Sequence, residues 1–531
     1  MKINVWLVAA MAAVLYTCAP IRLSGQGQEQ SFGKMVALPP FLVEDNVKGH
    51  LWQYASVRDP AGDLEILSNA DPGAAERFAQ TMLRQEKLLR EFLPADLVGG
   101  WKIPAEYILV SKEYERKMAR GMRDAMETQA RREAVKRVMS SDDFDMLPEL
   151  CREDSESSDT IIQPNDEIEG DTFVPEYVGV MLANRRPTLP AWFRAAALGL
   201  YAQADWSNAD GAPRDITLPP MGRVTVTGSV ETLFMSNPPA LVPADQISVH
   251  EYGSWQARAT LFVRWAYDGQ SERRQALWQF VRAAASRPVD EALFRSCFGM
   301  GFGEMDNVLA GYGQTGADKP VFLANRKVPV EDVAFRDATS TEVARIMGDL
   351  MVKEIMLVRA EAPGNVQSYI GRAEATLLGP YSKGERDPAF LAVLGLYYHV
   401  AGQDDEAADI LGQAVAEADA LKLPLRPNAR IVLAAIRLES ALRKPEGPKG
   451  SLSPAQTAYT LAPIRRNPEC AESVVDLRIV YQTLVHSSAV TAADVELLEN
   501  GTTTFPLDKG LRIAIANVRQ RSGRNAIVAT Q

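Results

Sequence analysis

The chain runs Pro175-Glu176-Tyr177-Val178-Gly179, then an apolar stretch, then Leu189-Pro190-Ala191-Trp192-Phe193-Arg194-Ala195-Ala196-Ala197-Leu198-Gly199-Leu200-Tyr201, and these two segments decide the fold. Both segments predict helices. Pro175 suits the first helical position, with Asp171 or Thr172 nearby as a cap. On this interpretation alone, Glu176 is one more acidic residue in the first turn of a helix.

The order and spacing of these residues resemble the core of gluzincin metallopeptidases of the peptidase MA-like group. In that family a His-Glu-x-x-His helix precedes a second helix with the pattern Leu-Pro-x-Trp-(Leu/Phe)-x-Glu-Gly-(Leu/Ile)-Ala-x-Tyr. Two histidines at i and i+4 share one helix face and can bind one zinc ion. A carboxylate from the second helix completes the site, and the glutamate between the histidines takes a proton from the zinc-bound water.

The resemblance implies that the zinc ligands are missing from this chain. Aligned on Glu176, the histidine positions hold Pro175 and Gly179, and the position of the third ligand holds Ala195. Only Glu176, in the place of the general base, is retained. Tyr201 lies one residue after the position of the tyrosine in the family pattern. No cofactor is expected, because proline, glycine and alanine offer no side-chain ligand for zinc.

Local patterns predict the elements around these two helices. The segments 52–57 and 64–67 are predicted strands, 72–92 a helix and 104–110 another strand, an order that the resemblance also implies. The alternating segment 223–234 is a further predicted strand. The resemblance extends over roughly residues 36–315, where we expect an α+β gluzincin-like domain.

The acidic range 142–171 contains twelve Asp or Glu residues and a single basic residue, Arg152. It has no spacing typical of a calcium-binding loop. We therefore interpret it as a mobile acidic insertion in the gluzincin-like domain.

The N-terminus is typical of an exported protein. Lys2 is followed by an apolar run from Val5 to Leu15, which predicts a signal peptide over residues 1–27 rather than a membrane anchor. Cys18 offers an alternative as a lipoprotein site, although Thr17 departs from that pattern. We expect a periplasmic or cell-envelope protein with no membrane span after signal cleavage.

Composition and residue spacing exclude several classes of function. The chain has 531 residues, enough for roughly two to four domains, and its net charge of −11 argues against nucleic-acid binding. The four histidines are too far apart for a helical metal motif. Cys151, Cys297 and Cys470 allow one disulfide, but the sequence does not choose the pair.

The segment from 338 to 531 is predicted to be helical and repetitive. One unit resembles the tetratricopeptide pattern, in which small residues let two helices pack closely. Its signature residues are Leu391, Leu394, Gly395, Tyr398, Gly402, Ala407, Leu411 and Ala414. The usual closing proline is absent, so a plain helical bundle remains the alternative.

The sequence therefore predicts an α+β gluzincin-like domain followed by an all-α region of helical hairpins. The expected function is non-catalytic binding of a protein or peptide, or scaffolding in the envelope, with Tyr177, Trp192 and Tyr201 lining a candidate groove. One alternative is a metallopeptidase with an atypical metal site around Glu176. Another is a purely structural repeat protein. The partner and the oligomeric state are not predicted.

Overall fold

The computed structural model describes residues 51–59, 62–97, 105–110, 150–152, 160–164, 182, 185–201, 214–222, 228–236, 238–239, 246–269, 271–326, 332–361, 363–466 and 474–529. Within these ranges the protein is mostly helical, with sixteen helices and a small mixed sheet near the N-terminal part. The α+β part comes first along the chain and a helical region follows it.

The main sheet has six strands, which lie in the order β4-β5-β3-β2-β1-β8. Parallel pairs join β2 to β3 and β3 to β5, and the other neighbours are antiparallel. The strands are β1 (Gln53–Asp59), β2 (Gly62–Ser68), β3 (Ala105–Val110), β4 (Leu150–Arg152), β5 (Thr160–Pro164) and β8 (Arg336–Asp337). The predicted strands at 52–57, 64–67 and 104–110 are confirmed.

Successive strand residues point to opposite sides of this sheet, and each side is covered by one helix. One helix is Pro72–Phe92 and the other is Ser340–Glu361. Leu64, Ile66 and Tyr107 join a core with helix α1 (Pro72–Phe92), where the ring of Phe78 lies 5.4 Å from that of Tyr107. The alternate residues Leu67 and Ile108 pack with Ile346, Met347 and Leu350 on the other side. The predicted helix at 72–92 is confirmed, with Asp71 as its N-cap.

Six further helices complete the N-terminal α+β part. They are α2 (Ala191–Tyr201), α3 (Val230–Met235), α4 (Gln246–Tyr267), α5 (Ser271–Ser286), α6 (Glu291–Phe298) and α7 (Phe302–Thr315). A second, two-stranded sheet pairs β6 (Arg214–Leu218) with β7 (Val321–Arg326). The family resemblance extends to about residue 315. Strands β7 and β8 come after that residue and pair with strands before it, so the α+β part continues to Asp337.

The predicted strand over 223–234 is wrong at its C-terminal end, where α3 begins at Val230. Ser229 caps this helix, because its side chain accepts a hydrogen bond from the backbone N–H of Thr232 at 3.1 Å. A short apolar run is compatible with both a strand and a helix, and here the cap decides for the helix.

The acidic range 142–171 is not wholly an insertion between elements. Leu150–Arg152 and Thr160–Pro164 are strands of the main sheet, and Cys151 pairs with Ile161. The apolar residues within these short runs fit a sheet even though the flanking sequence is acidic. The remaining residues of this range lie outside the described part of the chain.

The region from residue 340 onward, here called the hairpin stack, consists of nine helices in the described ranges. They are α8 (Ser340–Glu361), α9 (Val366–Ser382), α10 (Pro388–Ala401), α11 (Asp404–Leu421), α12 (Pro427–Arg443), α13 (Pro454–Arg465), α14 (Val474–His486), α15 (Ala492–Thr504) and α16 (Lys509–Ala529). Helices α8 to α15 pack in consecutive pairs. The first helix of each pair also contacts the first helix of the next, and α16 follows α14 in the same way.

The pair α10 and α11 shows how closely two helices of the stack approach. A Cβ atom at Gly395 would lie 2.6 Å from Cγ of Leu411 and 3.1 Å from its backbone nitrogen. Leu394, Ala407 and Ala414 are fully buried around this contact, and Tyr398 is half-buried. Gly402 ends α10 with a φ of +83°, a conformation that favours glycine. No helix in the described part of the chain has the length and apolarity that a membrane span requires.

Candidate functional site

Helix α2 carries the part of the predicted site that the structure describes. The carbonyl of Pro190 accepts hydrogen bonds from the N–H groups of Phe193 and Arg194, at 3.0 and 3.1 Å, and so begins the helix. Leu189, just before it, is buried. The Leu-Pro pair therefore fixes the start of α2 and the face that the helix presents to the core.

Ala195, the position that the family resemblance assigns to the third zinc ligand, lies in the contact between α2 and α4. Its side chain is only 2% exposed, and its carbonyl accepts a hydrogen bond from Nε2 of Gln256 at 3.3 Å. One turn later, a Cβ atom at Gly199 would lie 2.8 Å from Oγ1 of Thr260. The small residues of α2 thus let α4 approach, and Ala195 contributes only a methyl group to this contact.

Trp192 anchors a cluster of rings that forms the centre of the α+β part. Its ring lies 4.9 Å from that of Phe234, 5.6 Å from Phe280 and 5.8 Å from Phe262. Several of these pairs are edge-to-face, the arrangement that aromatic quadrupoles favour. Only 4% of Trp192 is exposed, so its role in the structure is that of a core residue.

Tyr201, at the end of α2, pairs with Tyr267 at the end of α4. Their hydroxyl oxygens lie 2.9 Å apart, and both residues are buried. Burial raises the pKa of both hydroxyls well above the usual value of 10.0, so both carry their protons at neutral pH. The two uncharged hydroxyls therefore link the ends of α2 and α4 by a hydrogen bond.

The remaining predicted site residues, Pro175, Glu176, Tyr177 and Gly179, lie outside the described part of the chain. The alignment that assigns them to a degenerate zinc site stays a prediction. The groove also stays a prediction, since Tyr177 is not described, while Trp192 and Tyr201 point into the core. In the described ranges, no three His, Cys, Asp or Glu side chains converge as metal ligands would. Among the residues that the structure describes, Cys297 has no disulfide partner.

Sequence reasoning missed a second site, a buried charge cluster between the main sheet and the hairpin stack. The cluster comprises Glu65 and Glu106 from the sheet, Arg345, Asp349 and Lys353 from α8, and Arg426 just before α12. Each of these residues is less than 10% exposed. Three carboxylates thus face three cations in a region that water hardly reaches.

Glu106 is the centre of the charge cluster. Its Oε1 accepts a hydrogen bond from Nη1 of Arg345 at 2.8 Å and another from Nη2 of Arg426. The second guanidinium nitrogen of Arg345 lies 2.7 Å from Oε1 of Glu65. Arg426 Nη1 lies 2.6 Å from Oδ1 of Asp349, whose Oδ2 is 2.7 Å from Nζ of Lys353.

The pKa values of Glu106 and Asp349 shift in opposite directions, although burial opposes the charge of both carboxyls. Desolvation, reinforced by the charges of Asp349 and Glu65, raises the pKa of Glu106 from 4.5 to about 7 against the pull of Arg426 and Arg345. Desolvation also opposes the charge of Asp349. There, however, Arg426 and Lys353 prevail and hold the pKa of Asp349 well below its usual value. The cluster therefore contains one carboxyl that is ionised at neutral pH and one that titrates near it.

The sequence does carry a signal for this cluster. Arg345, Asp349 and Lys353 recur every four residues in the stretch 343–353 of α8, whose other residues are apolar or glycine, so they form one charged stripe on that helix. Glu106 stands beside Tyr107, Ile108 and Leu109 in a buried strand. Charges at such positions are rarely buried unless they are paired, which indicates partners in another element.

Comparisons of the chain with protein-family models, with curated proteins and with solved structures found no match. The assignment of a function therefore depends on the residues themselves and on the resemblance described above.

Proposed function

We propose that this is an exported, non-catalytic relative of gluzincin peptidases that acts by binding a protein or peptide. In this proposal the α+β part derives from a peptidase domain that has lost its zinc ligands, and the hairpin stack is of the tetratricopeptide type. An extended segment lying along the edge of the main sheet is the expected binding mode.

The environment of Ala195 is the observation that carries this proposal. A zinc hydrolase needs its ligands both to hold the metal and to lower the pKa of the bound water. Ala195, which the resemblance assigns to the third ligand, is a buried methyl group in a tight contact between two helices, with Gln256 bonded to its backbone. A peptidase centre would require a carboxylate in this place.

The close approach of α10 and α11 favours the second half of the proposal. Gly395 and Leu411 meet where tetratricopeptide units place a small and a large residue, and Ala407 and Ala414 are fully buried in the same hairpin. Stacked hairpins of this kind present extended surfaces to partners.

A purely structural role is the second candidate, and one observation favours it. Trp192 and Tyr201, which we assigned to the groove, are buried in the core. If the groove is filled along its length, the α+β part serves only to cover one end of the hairpin stack. Selection of extended peptides from a random display library on the mature chain separates the two roles. Enrichment of a common motif that then binds in solution supports binding, and its absence supports the structural role.

The zinc content of the mature chain tests the loss of catalysis. After equilibration with zinc and desalting, elemental mass spectrometry should find less than about a tenth of an equivalent in the natural chain. The triple variant Pro175→His, Gly179→His and Ala195→Glu should bind close to one equivalent, because it restores two histidines and a carboxylate.

Ala195→Glu alone is the matched control, since one carboxylate does not hold zinc tightly. A triple variant that folds but binds no more zinc than the control would contradict the proposed alignment. About one equivalent of tightly held zinc in the natural chain would contradict the non-catalytic role itself.

A further inference from the structure

The charge cluster is the main polar link between the α+β part and the hairpin stack within the described ranges. Glu65 and Glu106 belong to neighbouring strands, whereas Arg345 and Asp349 lie on α8 and Arg426 precedes α12. Beside the cluster, Tyr54, Leu67 and Ile108 pack against Ile346, Met347 and Leu350. The sheet therefore meets the stack through an apolar patch and a buried ionic patch that lie side by side.

The hydrogen bonding of Glu106 is uneven. Both arginines bond to Oε1, whereas Oε2 is buried and has no hydrogen-bond partner in the described structure. A charged carboxylate with one unsolvated oxygen is costly to bury, and a proton on that oxygen removes most of the cost. Oε2 of Glu106 is therefore an atom at the junction that can bind a proton.

The other ionisable groups that face Glu106 have hydrogen-bonding or charged partners of their own. On the sheet, Glu65 accepts a hydrogen bond from the Tyr54 hydroxyl at 2.5 Å and also contacts Arg345. Asp349 is paired with two cations, Arg426 and Lys353. On β5, the residue that pairs with Glu106 is Thr160, which does not ionise, and Arg152 pairs with Thr160 one strand further out.

We propose that Glu106 makes this junction sensitive to pH, so that the sheet and the hairpin stack are joined most tightly in mildly acidic solution and less tightly above neutrality. The inference concerns the junction alone and is independent of any binding or catalytic role of the protein.

The sign of this pH dependence follows from the linkage between proton binding and folding. The pKa of Glu106 is raised from 4.5 to about 7 in the folded protein. A raised pKa means that the folded state binds the proton more tightly than a state in which Glu106 meets water. The resulting stabilisation is complete below pH 4.5 and is lost as the pH rises through about 7. Asp349, with its lowered pKa, acts in the opposite direction only in stronger acid.

Thermal unfolding of the full-length mature chain tests this proposal. Between about pH 6 and about pH 8.5, the unfolding temperature of the natural protein should fall by about 1 to 3 °C more than that of Glu106→Gln. Glutamine keeps the acceptor for both arginines and cannot ionise. Asp419→Asn, which removes a carboxylate from Arg430 inside the stack at 2.6 Å, is the control. This control should lower the unfolding temperature but keep the pH dependence of the natural protein.

Hydrogen exchange tests whether the pH-dependent stabilisation arises at the junction between the sheet and the hairpin stack. After division by the intrinsic rate at each pH, amides of β3 and α8 should exchange more slowly at about pH 6 than at about pH 8.5 in the natural chain. In Glu106→Gln the two pH values should give equal protection. Equal pH dependence in the natural chain and in Glu106→Gln, by either measurement, would overturn the proposal.

An infrared spectrum of the natural protein keeps the proposal testable if Glu106→Gln does not fold. The absorption of a protonated carboxyl group should be present at about pH 6 and lost by about pH 8.5, with a midpoint near the pKa of Glu106. Its absence at about pH 6 would mean that Glu106 is ionised throughout, and the proposal would be wrong.

Discussion

Gly395 and Gly412 lie in the same hairpin but differ in their surroundings. A Cβ atom at Gly395 would meet Leu411 at 2.6 Å, whereas one at Gly412 would meet nothing within 4 Å. We expect Gly395→Ala to destabilise the protein by about 1 to 3 kcal/mol, because overpacking outweighs the better helix propensity of alanine. Gly412→Ala should be neutral or stabilising by up to about 1 kcal/mol. Denaturant unfolding of both variants measures the difference, and equal stability would mean that α10 and α11 do not pack at Gly395.

Single residues also mark the limit of prediction from sequence. The pattern around Gly395 was sufficient to predict a close helical hairpin, because small residues at fixed spacing have a local meaning. Ala195 could be recognised only through the family resemblance, since an alanine in a helix carries no chemical signal of its own. Its contact with Gln256 joins elements that are 61 residues apart, and no local pattern predicts such a pairing.

At the scale of the element, α12 is attached to the sheet by the residue that precedes it. Arg426 contacts both Glu106 and Asp349 and is buried. Arg426→Met should lower the free energy of unfolding by about 3 to 5 kcal/mol, because it leaves two buried carboxylates with fewer cations. Arg443→Met, at the exposed end of the same helix, should change it by less than about 0.5 kcal/mol. Equal effects in denaturant unfolding would show that Arg426 is solvated and not part of a buried cluster.

The predictions at the element scale succeeded where one periodicity dominates. The helix at 72–92 has a clear apolar stripe and a capping aspartate, and the first strands alternate between turn residues. The strand predicted across residue 230 failed because a serine cap outweighed a short alternating run. Strands β4 and β5 were hidden by acidic neighbours, since composition over thirty residues says little about a run of three to five.

At the scale of the whole molecule, the charge cluster should make the two parts unfold together. We expect one calorimetric transition for the natural chain and two for the double variant Arg345→Met and Arg426→Met. The double variant Arg336→Met and Arg443→Met removes two exposed arginines and should keep the single transition. Two transitions in the natural chain would show that the cluster does not couple the parts.

The charge cluster also has a consequence for how the chain folds as it is made. Glu65 and Arg345 are separated by 280 residues, and Glu106 and Arg426 by 320. At typical rates of protein synthesis, the strand that carries Glu106 must wait roughly 15 to 60 s for Arg426. Until α8 has been synthesised, Leu67 and Ile108 have no helix to cover them, so one side of the nascent sheet is open to aggregation. Contacts between such distant parts of a chain form late, and the two buried glutamates keep that side polar and soluble until their partners emerge.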